Sequence, residues 1–339
     1  MSIKMIAPPV PNVPWQEKPE GIKNAPIWRY TKNPVIGRNP VENVARIFNS
    51  AVMPYGEGFI GVFRGEQTNG VPHIYLGRSK DAIHWEFDKE KIPFVDEEGN
   101  PAMPHYAYDP RLVKVEDTYY IIWCQDFYGA SIGLAETKDF KNFTRLESPF
   151  IPYNRNAVLF PRKINGNFVM MSRPSDSGHT PFGDIFISES PDMVYWGKHR
   201  HVMGRGHAWW ESVKIGGGAA PIETSEGWLV FYHGVSGTCN GFVYSIGGAI
   251  LDLENPSKVL YRCENFILTP EEWYEERGFV PNVIFPCATI HDPDSGKIAV
   301  YYGAADSYVG LAFCQFEEIV DYIKKFSKVT EMDTELGKR

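Results

Sequence analysis

The sequence predicts an all-β protein, a five-bladed β-propeller, and three observations carry that prediction. An apolar run of strand length recurs at 59–63, 119–123, 168–171, 228–232 and 298–302, with starts 60, 49, 60 and 70 residues apart. Each run follows a hairpin signal: Gly56-Glu57-Gly58, Glu116-Asp117, Asn165-Gly166-Asn167, Glu226-Gly227 and Asp294-Ser295-Gly296. Another apolar stretch precedes each hairpin, and three units close with an Asp and an aromatic four residues later, Asp81/Trp85, Asp139/Phe143 and Asp192/Trp196. Self-similarity at this period, with about four short strands per unit, is the pattern of propeller blades. A large β-sandwich is the competing arrangement, and it gives no reason for five matching hairpins.

The elements follow in chain order. Residues 1–40 hold eight of the 26 prolines together with Trp15 and Trp28, a composition that predicts an extended arm packed by its aromatics onto the body or onto a neighbouring subunit. The propeller is expected over 41–315. A helix is expected over 316–326, where Ile319, Tyr322, Ile323 and Phe326 share a face, and the charged tail 330–339 is expected to fray.

Bulk composition narrows the function. A hydrophobic share of 43% with 22% charged residues suits a chain that buries a sizeable core. Aromatics are rich at 14%, with 18 Tyr and 9 Trp, which suits β-structure and also surfaces that stack on sugar rings. The net charge of −8 argues against nucleic acid, whose phosphate backbone needs a positive partner, but leaves room for a small anion held by a local basic cluster. No apolar run is long enough to span a membrane, and the apolar core of residues 1–9 is too short for a secretory signal to be expected there. Cys124, Cys239, Cys263, Cys287 and Cys314 are odd in number and lack CxxC spacing, so they are expected as buried thiols of a reducing, cytoplasmic compartment.

The chemistry centres on Tyr106-Ala107-Tyr108-Asp109-Pro110-Arg111, ahead of the strand-like 112–115. An aspartate before proline is restricted in backbone angle, and in isolation such a segment reads as a turn opening a strand. Here it begins the second of five similar units, and a propeller gathers the corresponding places of all units at one mouth of the channel. Asp109 is therefore the candidate general acid. Arg155, Arg173, Lys214 and His233 fall at such places or in the loops beside them; each alone suits a surface ion pair, but together they make a phosphate site, because an Arg fork satisfies two oxygens of a tetrahedral anion. Gly216-Gly217-Gly218 lacks the Walker pattern. Asn49, Ser50, Asp109 and Asp306 supply the donors and acceptors that sugar hydroxyls need. Asp184, Glu189, Asp192 and Glu211 are further carboxylates, more simply read as turn or surface residues. No metal-ligand spacing and no Gly-x-Ser-x-Gly elbow occurs.

Several long segments, in order, resemble the β-mannoside phosphorylases of glycoside hydrolase family 130. They are Ile47-Phe48-Asn49-Ser50-Ala51, Tyr108-Asp109-Pro110-Arg111, Asn154-Arg155-Asn156 with 159–166, Ser172-Arg173-Pro174-Ser175-Asp176, 178–184, Tyr232-His233-Gly234 and 301–306. The likeness runs from about Trp28 to about Lys325 and is greatest to the subgroup acting on β-1,4-mannooligosaccharides and on mannosyl-N-acetylglucosamine. The resemblance implies a five-bladed propeller that carries out inverting phosphorolysis, giving α-mannose 1-phosphate and a sugar shortened by one unit. It implies that Asp109 is the sole catalytic carboxylate, passing its proton to the glycosidic oxygen through the 3-hydroxyl of the bound mannosyl unit. It places phosphate on Arg155, Asn156, Arg173, Lys214, His233 and Tyr244, the mannosyl unit on Asn49, Ser50, Arg64, Tyr108 and Asp306, and His179 beside the acceptor sugar. Inorganic phosphate is the co-substrate, with no other cofactor, and a homo-oligomer is expected.

Physical reasoning agrees with one carboxylate. An inverting hydrolase needs a second one to activate water, whereas phosphate is already a nucleophilic anion and needs only positioning. Ala219-Ala220-Pro221 and Phe242 depart from the pattern of the relatives and leave the acceptor sugar open. Two other functions fit parts of the same pattern. An inverting β-mannosidase is disfavoured by the four basic residues, which hydrolytic relatives replace with carboxylates; a non-catalytic glycan-binding propeller would need no buried acid.

Overall fold

A computed structural model describes residues 3–22, 25–175, 183–206, 208–329 and 333. Five sheets, antiparallel except for one short parallel edge pairing in the second, follow one another along the chain as blades. The first holds Arg38–Val41, Val44–Tyr55, Gly58–Gln67, Pro72–Ser79 and Trp85–Lys91. The second holds Ala107–Val115, Thr118–Asp126, Ala130–Thr137 and Phe143–Leu146, with Phe94–Val95 added at its outer edge. The third runs Asn154–Leu159, Phe168–Pro174, Ile185–Ser190 and Gly197–Met203. In the fourth the first strand is split into Lys214–Gly217 and Ile222–Thr224 before Gly227–Thr238, Gly241–Leu251 and Val259–Arg262. The fifth holds Ile284–Asp292, Lys297–Ala304 and Tyr308–Gln315.

Counting the first blade from Val44–Tyr55, with Arg38–Val41 as an additional edge strand, all five recurrent apolar runs are the second strands of their blades. They are buried because each sheet packs face to face on its neighbours, and the four large hydrophobic clusters lie between adjacent blades. The Asp that closes a unit holds a tight turn between third and fourth strands. Asp81 accepts from the Ile83 and His84 amides at 3.0 and 2.8 Å, Asp139 from Lys141 and Asn142 at 2.8 and 2.9 Å, and Asp192 from Val194 and Tyr195 at 3.0 and 2.9 Å. Asp252 does the same for Glu254 and Asn255 at 3.1 and 2.9 Å, so a fourth unit shares the device without the aromatic.

The segment expected as an arm is partly propeller. Ile27–Arg29 pairs antiparallel with 312–314 as the outer strand of the fifth blade, so the N-terminal segment completes the last sheet, and Arg38–Val41 belongs to the first blade. The boundary at residue 40 therefore falls inside a blade. The preceding residues run across the rear of the ring, where the hairpins between first and second strands turn. The Ile6 amide donates to the Glu223 carbonyl at 2.8 Å, the Val10 amide to Asp292 Oδ1 at 3.1 Å, and Trp15 meets Phe313 edge-on at 6.0 Å.

The terminal helix, Phe316–Lys325, buries Phe316, Ile319, Val320 and Ile323. Phe326 caps it and is exposed, so the buried face is turned slightly from the expected one, with Val320 in its place. A four-residue helix, Trp273–Glu276, was not anticipated. Beyond the terminal helix, Asp333 pairs with the fully buried Arg262, which also donates to Glu211 Oε2 at 2.8 Å and Tyr232 Oη at 3.2 Å. The rest of the expected fraying tail lies outside the described residues.

Candidate active site

The inner strands of the first three blades share one irregularity. Register shifts between Phe48 and Ala51, Tyr108 and Arg111, and Arg155 and Val158 mark β-bulges. At each bulge one residue takes a left-handed backbone: Asn49 (φ 44°), Asp109 (φ 51°) and Asn156 (φ 53°). Asn and Asp tolerate this region better than other non-glycine residues, and a bulge re-aims the side chain that it carries. Asp109 thus sits within a strand, at a bulge, rather than in a turn ahead of one. In the fifth blade Asp306 takes the same conformation (φ 47°) just past the second strand.

These residues converge on a cavity of about 390 Å³ at the front mouth, opposite the N-terminal segment. It is lined by Asn49, Arg64, Tyr108, Asp109 and Asp306 on one side and by Arg155, Asn156, Arg173, Lys214, His233 and Tyr244 on the other. Eleven of the thirteen candidates therefore share one wall-to-wall site. Hollows of about 480 and 830 Å³ exist at the rear mouth and beside residues 19–33, but neither gathers such a set of charged groups.

On the first side the Asp109 carboxylate is held by two donors at one oxygen. Oδ1 accepts from Asn49 Nδ2 at 2.9 Å and from Arg64 NH1 at 2.8 Å. Arg64 is in turn braced by Glu66 at 3.2 Å, which also pairs with Arg46 at 3.5 Å. Burial opposes the charge on Arg64, but Asp109, Asp306 and Glu66 more than offset it. The Asn49 carboxamide fits because Gly303 lies beneath it; a Cβ there would stand 1.7 Å from Asn49 Oδ1. Burial pushes the Asp306 carboxyl up to about 7, with Arg64 opposing and Asp109 and Glu66 adding to the rise.

The second side is a cluster of cations. Among the described residues no carboxylate forms an ion pair with Arg155, Arg173 or Lys214. Burial, followed by the charges of Arg173 and Arg155, brings Lys214 down to about 8. His233 differs from its expected role as a basic group. Burial, then Arg173, Lys214 and Arg111, hold it well below the ordinary histidine value, so it is neutral. Arg173 NH1 lies 3.1 Å from its Nε2, and since guanidinium can only donate, that nitrogen accepts. Gly216 is part of a strand rather than a phosphate loop; a Cβ there would come within 2.5 Å of His233 Cε1 and 2.9 Å of Arg173 NH1.

Two candidates stand apart. Ser50 is buried outside the cavity lining, where its hydroxyl donates to the Phe48 carbonyl at 2.9 Å and accepts the Arg64 amide at 3.2 Å. It fixes the bulge that aims Asn49 instead of facing a sugar. His179 lies outside the described residues. The other carboxylates are engaged elsewhere: Asp184 with His201 at 3.1 Å, Glu189 with Lys198 at 2.8 Å, Asp192 in its turn and Glu211 with Arg262. Of the five thiols Cys239 is exposed, contrary to expectation, while the other four are buried and the Asn156 amide lies 3.4 Å from Cys124 Sγ.

Sequence reasoning missed Arg111. It is 2% exposed and donates from Nε to the Gly218 carbonyl at 2.6 Å and from NH1 to the Asp109 and Pro110 carbonyls, both at 3.1 Å. It thereby ties the backbone of the second-blade bulge to the fourth blade. The signal was present as a charged residue immediately ahead of the apolar run that begins at Leu112.

The raised Asp306 value has a thermodynamic consequence. In the unfolded chain an Asp ionises near 3.9, so between about pH 4 and 7 the folded protein binds more protons than the unfolded one. Stability attributable to Asp306 is therefore lost as pH rises through that window. Asp306→Asn should raise the melting temperature at pH 7.5, by roughly 1–4 kcal/mol of stability, and change it little at pH 4. Equal shifts at both pH values would mean that the carboxyl is ionised throughout.

Comparison with known proteins bears on this site. The family profile described as beta-1,4-mannooligosaccharide phosphorylase matches residues 9–325. A beta-1,4-mannooligosaccharide phosphorylase of Ruminococcus albus is 53% identical over 327 residues, covering 94% of this chain and 97% of that protein. A 4-O-beta-D-mannosyl-D-glucose phosphorylase of Bacteroides fragilis is 27% identical, covering 87% and 80%. Among solved structures, the beta-1,2-mannobiose phosphorylase of Listeria innocua in complex with beta-1,2-mannobiose superposes with a TM-score of 0.78 at 28% identity, covering 88% of this chain and 99% of that one.

Proposed function

Because the chain belongs to the mannoside phosphorylases of glycoside hydrolase family 130, we propose that it cleaves β-1,4-linked mannosides with inorganic phosphate, inverting the anomeric centre. The observation that carries this reading is the division of the cavity into two chemistries. A carboxylate held by Asn49 and Arg64 faces a group of cations, Arg173 buried and Arg155 and Lys214 partly so, that lacks any carboxylate partner among the described residues. Buried cations without counter-charge are costly, and an anion in their midst satisfies them.

In this reading a mannosyl unit lies against Asn49, Arg64, Tyr108 and Asp306, and phosphate is held by Arg155, Asn156, Arg173 and Lys214, with His233 and Tyr244 behind them. A phosphate oxygen attacks the anomeric carbon from the face opposite the glycosidic oxygen. As the C–O bond breaks, the proton carried by Asp109 goes to the departing oxygen. One displacement inverts the centre, so a β-mannoside gives α-mannose 1-phosphate and a sugar shortened by one unit. The 53% relative acts on β-1,4-mannooligosaccharides by its name, which favours that linkage over β-1,2. The five unpaired thiols support a reducing, cytoplasmic setting. Among the described residues no helix is long and apolar enough to cross a membrane.

The test is proton and phosphorus NMR of β-1,4-mannobiose with and without phosphate. The expected result is α-mannose 1-phosphate only in the tube with phosphate, and extension of an acceptor in the reverse direction. Equal release of free mannose in both tubes would replace this reading with a β-mannosidase. A β-configured phosphate product would exclude the single displacement.

A further inference from the structure

The front mouth has an aromatic edge that the cavity does not use. The hairpin tip at Phe127, Tyr128 and Gly129 joins two strands of the second blade, and Phe127 and Tyr128 are 54% and 91% exposed with ring centroids 5.0 Å apart. This tip is built rather than loose. The Phe127 amide donates to the Gly129 carbonyl at 2.9 Å, the Gly129 amide to Asp126 Oδ1 at 3.1 Å, and Tyr128 is held in the left-handed region at φ 55°. Gly129, at φ 121°, lets the Tyr153 ring close on the tip; a Cβ there would lie 2.5 Å from Tyr153 Cε1.

The edge is continuous with the cavity. Tyr153 is two residues from Arg155, which lines it, and the Ala107↔Gln125 pairing sets the hairpin directly beside Tyr106. Tyr106 meets the cavity-lining Tyr108 edge-on at 5.6 Å. Other rim aromatics already cover cations: Phe242 lies over Lys214 at 5.7 Å and Phe279 over Arg46 at 3.9 Å.

We propose that Tyr106, Phe127, Tyr128 and Tyr153 form a stacking platform for the mannosyl units that lie outside the cavity on the leaving-group side. The inference rests on the phosphorylase reading for its direction. If one terminal unit is removed per turnover, every other unit lies beyond the glycosidic oxygen. That oxygen is addressed by Asp109 of the second blade, while the anion-holding groups occupy the third and fourth. The departing chain therefore runs out past the front edge of the second blade, where these rings stand. The C–H faces of a pyranose match the electron-rich faces of aromatic rings, and Tyr adds a hydroxyl for the sugar's own.

The experiment is calorimetric binding of β-1,4-mannobiose and β-1,4-mannopentaose without phosphate, to wild type and to a Phe127→Ser/Tyr128→Ser double variant. Wild type should bind mannopentaose more tightly than mannobiose. The variant should lose about tenfold on mannopentaose while its mannobiose affinity and its phosphate-dependent turnover of mannobiose stay within about twofold. Tyr128→Trp should keep the preference. Equal wild-type affinity for both sugars, an unchanged mannopentaose affinity in the variant, or equal losses on both sugars would overturn the platform. A change in sedimentation coefficient accompanying equal losses would assign the edge to self-association instead. Failure of wild type to form α-mannose 1-phosphate would defeat the phosphorylase reading alone, since the binding comparison needs no turnover.

Discussion

Asp109→Asn is expected to fold, to bind phosphate, and to lose turnover of unactivated β-mannosides by about 10²–10⁴-fold or more. The substitution is nearly isosteric. Its remaining carbonyl oxygen can still accept from Asn49 Nδ2 and Arg64 NH1, and Arg64 keeps Glu66 as a partner at 3.2 Å. What disappears is the proton that a sugar alkoxide needs in order to leave. A β-mannoside with an acidic phenol as leaving group needs no such proton, so the variant should retain most activity on it. Asp306→Asn is the control. It alters the other carboxyl of the cavity and should raise KM for both substrates without the leaving-group dependence. A mutant at position 109 within a few-fold of wild type on mannobiose would remove Asp109 from the acid's role; a leaving-group effect at 306 would transfer that role to Asp306.

The parts of the fold that were legible are those encoded locally. Second strands announced themselves because an apolar run and a hairpin signal are contiguous in sequence, as at Asn165-Gly166-Asn167 before Phe168–Pro174. The outer strand Ile27–Arg29 was not legible: three residues carry no period, and only pairing with 312–314, far along the chain, makes them a strand. The split first strand of the fourth blade is similar, since Gly216-Gly217-Gly218 and Pro221 blur it locally while the neighbouring strand enforces it.

The site was legible residue by residue but not in its mechanics. Polar types at repeated positions pointed to Asn49, Asp109 and Arg173. That Asn49, Asp109 and Asn156 sit on equivalent bulges is a matter of inter-strand register, which no single strand's sequence states. Ser50 shows the same limit. A buried serine beside a binding asparagine reads as a ligand, yet its hydroxyl is spent on backbone groups. The charge state of His233 depends on burial and on Arg173, Lys214 and Arg111, contributed by three different blades.

Arg173→Ala should weaken phosphate far more than mannoside. Arg173 is 5% exposed, and losing one charge-assisted partner to a desolvated anion costs roughly 1.5–3 kcal/mol, which is roughly ten- to hundredfold in the KM for phosphate. The KM for mannobiose should move little, because the groups around Asp109 are held by Asn49, Arg64 and Glu66. Unliganded stability should suffer less than burial alone suggests, since the substitution relieves repulsion among Arg155, Arg173 and Lys214. A pH signature separates this from simple loss of packing. Lys214 is brought down to about 8 by burial and then by Arg173 and Arg155, so in wild type the KM for phosphate should rise once the pH passes about 8. Removing Arg173 takes away one of the charges that depress Lys214, so in the variant that rise should begin at higher pH, from a poorer starting value. An unchanged KM for phosphate would place the anion elsewhere. A raised KM with an unshifted pH limb would separate Arg173 from Lys214 and leave them as independent contacts rather than one electrostatic cluster.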